Sequence, residues 1–318
     1  MLNNVWVRRG FLLIGVGLCA YMVSRFPISQ IGDACIQLGP WVFLTPVIAM
    51  GWFAANTTAL YSLLESRVPW PALFWNRLVG EGYNALIPAA GIGGEPFKLR
   101  QLSTYVETHR AVVALINDRL IDNGLAFAYS GATVAIGALT IDMHAGVKTS
   151  MLVYGAAGIG IAAVFATVMV TTASSRVGGK IAKLLGAEQL GHERMRLSVL
   201  AAAAFWTGMG KLIGLLEISL LFHLLDLPFT VGDVFFTAGA LSAAGFIGGA
   251  IPQGLGVAEA ATVGIFELLH FAGPAALAFA FARRGRTLLV SVAGVTLHLL
   301  FSRTAARATV PASSIDAS

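Results

Sequence analysis

Ile87-Pro88-Ala89-Ala90-Gly91-Ile92-Gly93-Gly94-Glu95-Pro96-Phe97-Lys98 has a partner far downstream, Ile251-Pro252-Gln253-Gly254-Leu255-Gly256-Val257-Ala258-Glu259. In both copies an Ile-Pro pair leads into glycines, and a glutamate stands seven residues after the proline. The same offset of 164 residues, carried on without a gap, sets Arg119 opposite Arg283. Glycine and proline interrupt regular structure, so each copy is expected to break a helix.

The surroundings of these breaks are apolar. Of the 318 residues, 57% are hydrophobic and only 12% charged, against about 25% charged in soluble domains. Mean hydropathy is +0.77, and several charge-free runs are long enough to cross about 30 Å of hydrocarbon. These numbers predict an all-α polytopic membrane protein. The net charge of +5 then reads as the excess of basic residues in cytoplasmic loops, with no nucleic-acid partner. Cys19 and Cys35 are the only cysteines, which excludes a disulfide framework. Arg8-Arg9 followed by Phe11 to Val23 imitates a signal peptide, but no small-x-small cleavage site follows, so an uncleaved first helix is expected.

Seven transmembrane helices are expected: about 11–26, one within 34–64, then 111–139, 149–172, 198–225, 260–282 and 287–302. Two further segments differ. Residues 71–94 carry Arg77, Glu81 and Asn84, and residues 232–256 hold seven glycines, too many for a plain helix. Residues 303–318 read as a disordered tail.

Charge sets the orientation. The loop 173–197 carries five basic residues and should face the cytoplasm. Working outward, fourteen basic residues become cytoplasmic, among them Lys98, Arg283, Arg284 and Arg286. Arg25, Lys148, Arg303 and Arg307 fall outside, and Arg77, Arg119 and Lys211 remain within the membrane. This partition puts the N-terminus inside and the C-terminus outside. It requires 71–94 and 232–256 to leave on the side they enter, as re-entrant hairpins. Residues 41–172 and 198–302 then form an inverted repeat within one membrane domain spanning 1–302. Broken backbone at membrane depth is tolerated only against protein or a water-filled cavity, so the hairpin tips are expected to meet and line one. Paired broken segments point to a transporter's binding site.

The candidate substrate-binding residues are those with polar chemistry at this depth. Arg77, Glu81 and Asn84 lie on one stripe of the first hairpin, where Arg77 and Glu81 can pair four residues apart. Gly93 and Gly94 precede Glu95-Pro96, a helix start beside Lys98 that suits an anion. Three roles stand open for Glu95: a helix cap, a partner for Arg119, or a proton carrier. Asp118, Arg119 and Asp122 share a helix face, as a buried triad locking that helix to a neighbour or as head-group contacts. Lys211 and Glu217 are six apart and need other partners, one of them facing the cavity. Gln253, Gly254, Gly256, Glu259 and Arg283 complete the set from the second copy. Glu95 and Glu259 are expected near the opposite half's entrance, coupled through the cavity, each to bind a cation, accept a proton, or hold Arg119 or Arg283. No metal-ligand spacing links the six histidines, and no P-loop, dinucleotide fingerprint or nucleophile elbow occurs in a sensible context. No catalytic residue, metal or cofactor is therefore expected.

The paired Gly-rich copies, the basic residue after the first, and Asp118-Arg119-Leu120-Ile121-Asp122 resemble the lysylphosphatidylglycerol-synthase membrane-domain family, "flippase-like" integral membrane proteins, over roughly residues 10–302. One branch of that family is associated with hopanoid lipids. This chain departs from the family in one respect: Ala90 and Ile92 are apolar where a basic residue is common. The resemblance implies a translocase of phospholipid, hopanoid or lipid-linked intermediate in a bacterial inner membrane, with a membrane lipid as substrate and lipid-biosynthesis enzymes as partners. The alternative it leaves open is a membrane subunit, catalytic or not, of a lipid-modifying synthase pathway.

Overall fold

The computed structural model describes residues 20–21, 23–86, 93–174, 195–248 and 254–308. Among them are ten α-helices, a short 3-10 turn and no strand. The helices are α1 (Ile28–Gln37), α2 (Leu44–Leu63), α3 (Trp70–Leu86), α4 (Glu95–Leu102), α5 (Thr108–Thr140), α6 (Ala145–Ser174), α7 (Leu197–Leu224), α8 (Val231–Gly248), α9 (Val257–Leu268) and α10 (Gly273–Ala308). The first expected helix lies mostly outside the described residues, as do both Ile-Pro pairs and Gln253. Three stretches are long and apolar enough to cross a membrane by length and composition: Pro40–Leu63, Ala145–Val170 and Leu197–Leu224.

Helix α4 turns back along α3. Asn76 of α3 donates to the Lys98 carbonyl (3.0 Å) and to Gln101 (3.2 Å), while nearer the tip the Gly94 amide donates to Asn84 (2.7 Å). Rising numbers in α4 thus meet falling numbers in α3, which defines an antiparallel pair. The approach is close enough that a Cβ on Gly94 would lie 1.9 Å from the Gly80 carbonyl oxygen. With eight residues, α4 is about 12 Å long and cannot cross a bilayer alone. Its twelve-residue counterpart α9, about 18 Å, is also too short.

Each hairpin has its mouth sealed by a separate apolar cluster. Leu63 and Leu64 at the end of α2, Leu73 at the start of α3, Leu102 at the end of α4 and Ala111 at the start of α5 form one. Leu225 after α7, Val234 in α8, Leu269 after α9 and Ala275 in α10 form the other, around Phe222, Phe266 and Phe279. Helix α5 runs from Ala111 in the first cluster to Val134 in the second, about 35 Å at 1.5 Å per residue. Helix α7 likewise runs from Leu200 to Leu221. The mouths therefore lie at opposite ends of the bundle. Between them α2 packs on α7, α3 on α10 and α8 on α5, while α6 packs on α5 and leaves Val153, Val164 and Val168 exposed.

The glycine-rich segment 232–256 is helical as far as Gly248, and Gly239 lies against α5, where the missing side chain permits close contact. Two expectations are overturned. The expected break at 283–286 is absent: the chain breaks at 269–272, and α10 starts at Gly273-Pro274, a good helix opening. The tail is helical as far as Ala308, so only 309–318 lie outside the described residues.

These contacts generate a stability prediction. Gly94→Ala should lower the unfolding temperature in detergent, because overpacking against backbone costs about 1–3 kcal/mol. Gly160→Ala on α6, where nothing lies within 4 Å of an added Cβ, should leave it unchanged or slightly raised. Equal unfolding temperatures for the two variants would refute the hairpin packing.

Candidate functional site

Between the two sets of helices lies a cavity of about 540 Å³. Its walls come from α2, α3, α5, α7, α8 and α10. The apolar side includes Ile48, Trp52, Phe53, Ile213 and Leu241; the polar side includes Glu81, Asn84, Tyr129, Lys211, Glu217, Arg283 and Arg286. The charged groups lie well inside their helices. Arg283 is about 15 Å along α10 from Gly273, and Arg119 about 16 Å along α5 from Thr108.

Around the first hairpin the charges close on one another. Lys98 extends over Gly80 and bonds Glu81 (2.5 Å) and Glu95 (3.2 Å). Arg119 pairs with Glu95 and lies 3.4 Å from Glu81. Asn84 ties this group to the tip, donating to Glu81 (3.1 Å) and accepting from Gly94. Arg77 instead pairs with Asp118 (2.7 Å), both buried. Lys211 crosses from α7 to Asp122 on α5 (2.9 Å).

The second hairpin is built differently. Gly256 has a φ of +79°, a conformation that favours glycine, and its amide donates to Glu259 Oε2 (2.7 Å), capping α9. Glu259 Oε1 accepts from Arg284 Nε (2.6 Å). On the cavity wall Glu217 holds Arg286 (2.8 Å), with Arg283 farther away at 3.9 Å.

Of the residues singled out from sequence, Glu81, Asn84, Lys211, Glu217 and Arg283 line the cavity, so both Lys211 and Glu217 face it where one was expected to. Arg77, Gly93, Gly94, Glu95, Lys98, Asp118, Arg119, Asp122, Gly254, Gly256 and Glu259 do not; several stand behind the wall and hold what does. Gln253 is outside the described residues. Asp118, Arg119 and Asp122 tie α5 to its neighbours: Asp118 to α3, Arg119 to α4 and α3, and Asp122 to α7. Three pairings are corrected. Arg77 does not pair with Glu81, because Asp118 on α5 reaches it directly. Glu259 takes Arg284, not Arg119 or Arg283. Glu95 and Glu259 each pair with an arginine of their own half, Arg119 on α5 and Arg284 on α10, so among the described residues no ion pair joins either to the opposite half. Lys98, Arg283, Arg284 and Arg286 are no loop charges either; glutamates inside the fold engage all four.

Sequence reasoning missed Arg286, Tyr129 and Ser291 on the cavity wall. A usable signal existed for Arg286: Glu217 on an apolar helix needed a cation, and the Arg283-Arg284-Gly285-Arg286 run supplies it.

The family model described as "Lysylphosphatidylglycerol synthase TM region" matches residues 10–294. No curated protein and no solved structure matches the chain.

The Arg77–Asp118 pair does not line this cavity and should act on stability alone. Asp118→Asn leaves a buried guanidinium without its counter-charge and should cost about 3 kcal/mol, read by unfolding in detergent. The double variant Arg77→Met/Asp118→Leu should recover most of that loss and keep any lipid-moving activity. A double variant as unstable as the single one would contradict this assignment.

Proposed function

We propose a function from one premise: this chain belongs to the lysylphosphatidylglycerol synthase TM region family. The chain is an integral membrane protein with a lipid-related role, and its activity is to move an amphipathic lipid between leaflets of a bacterial inner membrane. The carrying observation is the polar cavity walled in part by the long apolar helices α2 and α7, between two hairpin mouths at opposite ends. A lipid's head group is sheltered there from hydrocarbon while its tails remain in the bilayer. The product is the same lipid in the other leaflet, with no covalent change. Phospholipids, hopanoids and lipid-linked intermediates all fit this description, and enzymes of lipid biosynthesis are the natural partners.

The movement follows from an inverted repeat. Helices α2, α3, α4 and α5 recur in order as α7, α8, α9 and α10, and the packing of α3 on α10 corresponds to that of α8 on α5. Exchanging the halves maps one mouth onto the other, so two similar conformations, each opening one end, are the economical alternation. In this arrangement α6 has no counterpart among the described residues, which narrows the repeat expected at 41–172.

Orientation also follows. With α10 one continuous crossing, Arg303 and Arg307 join the cytoplasmic side, and the C-terminus lies inside with the N-terminus. Removing the four internal cations leaves twelve basic residues inside, against Arg25 and Lys148 outside. The revised crossing satisfies the positive-inside rule better than an external C-terminus does.

Two measurements test this reading. Single cysteines at Ser66, Val106 and Thr304 should all be labelled from the cytoplasmic side; external labelling of Val106 or Thr304 would refute the topology. Purified protein in liposomes should change the leaflet accessibility of a lipid while its mass stays constant. Conversion of the lipid to a new product would replace translocation with chemistry.

A further inference from the structure

The ionic groups inside the fold nearly all close to neutrality. Glu81 and Glu95 face Lys98 and Arg119; Arg77 faces Asp118; Lys211 faces Asp122; Arg284 faces Glu259. Among the described residues, one cluster does not close. Glu217 is a single carboxylate set against both Arg283 and Arg286, leaving one positive charge in excess.

The geometry says which cation carries the excess. Arg286 takes Glu217 at 2.8 Å, whereas Arg283 Nε is 3.9 Å from the other carboxylate oxygen, beyond hydrogen-bond reach. Buried Arg283 Nε and Glu217 Oε1 each lack a hydrogen-bond partner. The Arg283 side chain is 32% exposed and lines the cavity, while Glu217 is 3% exposed. Phe279 lies 5.8 Å from its guanidinium carbon and offers a ring, not a counter-charge. Glu81 shares the cavity wall, but Lys98 and Arg119 behind it match its charge. An uncompensated guanidinium in a low-dielectric wall is costly, and an anion entering the cavity relieves that cost.

We propose that the cavity is an anion site, with Arg283 as its anchor, for a phosphate-bearing group. The planar guanidinium presents a fork of N–H donors that matches phosphate oxygens. Arg286 and Lys211 reinforce the positive field from the same walls, and Asn84, Thr287 and Ser291 are polar neighbours for head-group hydroxyls. A lipid phosphate and free inorganic phosphate share this chemistry. The site rests on the lipid-moving reading only for the identity of the carrier.

Binding to the full chain in detergent tests the site apart from transport. The probes are short-chain phosphatidylglycerol, the uncharged diacylglycerol of the same chain length, and inorganic phosphate, followed by native mass spectrometry and thermal shift. Phosphatidylglycerol should bind in one equivalent and diacylglycerol far more weakly. Arg283→Gln should weaken phosphatidylglycerol binding about tenfold or more, and Arg283→Lys should retain part of it. Glu217→Gln raises the excess charge and should tighten binding. Should Glu217→Gln misfold, the Arg283→Gln and Arg283→Lys pair carries the test. Inorganic phosphate that binds weakly but competes identifies the lipid phosphate as the source; phosphate binding as tightly as the lipid overturns a lipid source. Wild-type affinity in Arg283→Gln, or equal binding of diacylglycerol, overturns the site. Protein that binds but moves no lipid defeats only the transport reading, and movement that is indifferent to Arg283→Gln defeats only the site.

Discussion

A charge placed midway along an apolar helix must find its counter-charge inside the protein, because hydrocarbon supplies none. That constraint explains more of this molecule than any other. Lys98 folds α4 back onto α3 because Glu81 is there to receive it, and Arg119 binds the same carboxylates from α5. Lys211 joins α7 to α5 through Asp122, and Arg286 joins α10 to α7 through Glu217. Each bridge adds a directional polar link between elements whose remaining contact is largely apolar. The ion pairs thus fix which helices are neighbours, while the two apolar clusters provide most of the burial. Their net contribution to stability is smaller than their number suggests, since desolvation offsets much of the attraction.

The same constraint produces the cavity. Glutamates, lysines and arginines that bridge helices leave polar surface where the bridges meet, and bulky apolar residues such as Trp52 and Ile213 complete the wall. The first hairpin is braced by its lysine and two carboxylates, whereas the second is held by a backbone cap and one arginine. The halves therefore match in element order but differ in chemistry.

The helical class and the antiparallel first hairpin were legible in the sequence, because charge-free runs and Gly-Pro punctuation are strong local signals. So was the need of Lys211 and Glu217 for distant partners. What was not legible depended on tertiary pairing. The Arg283-Arg284-Gly285-Arg286 run reads as a loop from its charges alone; it is mid-helix because Glu217 and Glu259, remote in sequence, receive those charges. The glycines of α8 read as breaks, yet a neighbouring helix fills the space beside Gly239. The offset of 164 residues aligned Arg119 with Arg283, while the ion pair to the second glutamate comes from Arg284, one residue on.

The account stands on the cavity being the route of the head group, and photo-crosslinking in native membranes tests that most directly. A photoreactive amino acid at Ile213 reports from the cavity wall, and one at Val164 reports from the exposed face of α6. The account predicts that Ile213 captures a narrow set of lipids through their head groups, while Val164 captures lipids in the proportions of the bulk membrane. Identical lipid profiles at the two positions, or no lipid at Ile213, would contradict it.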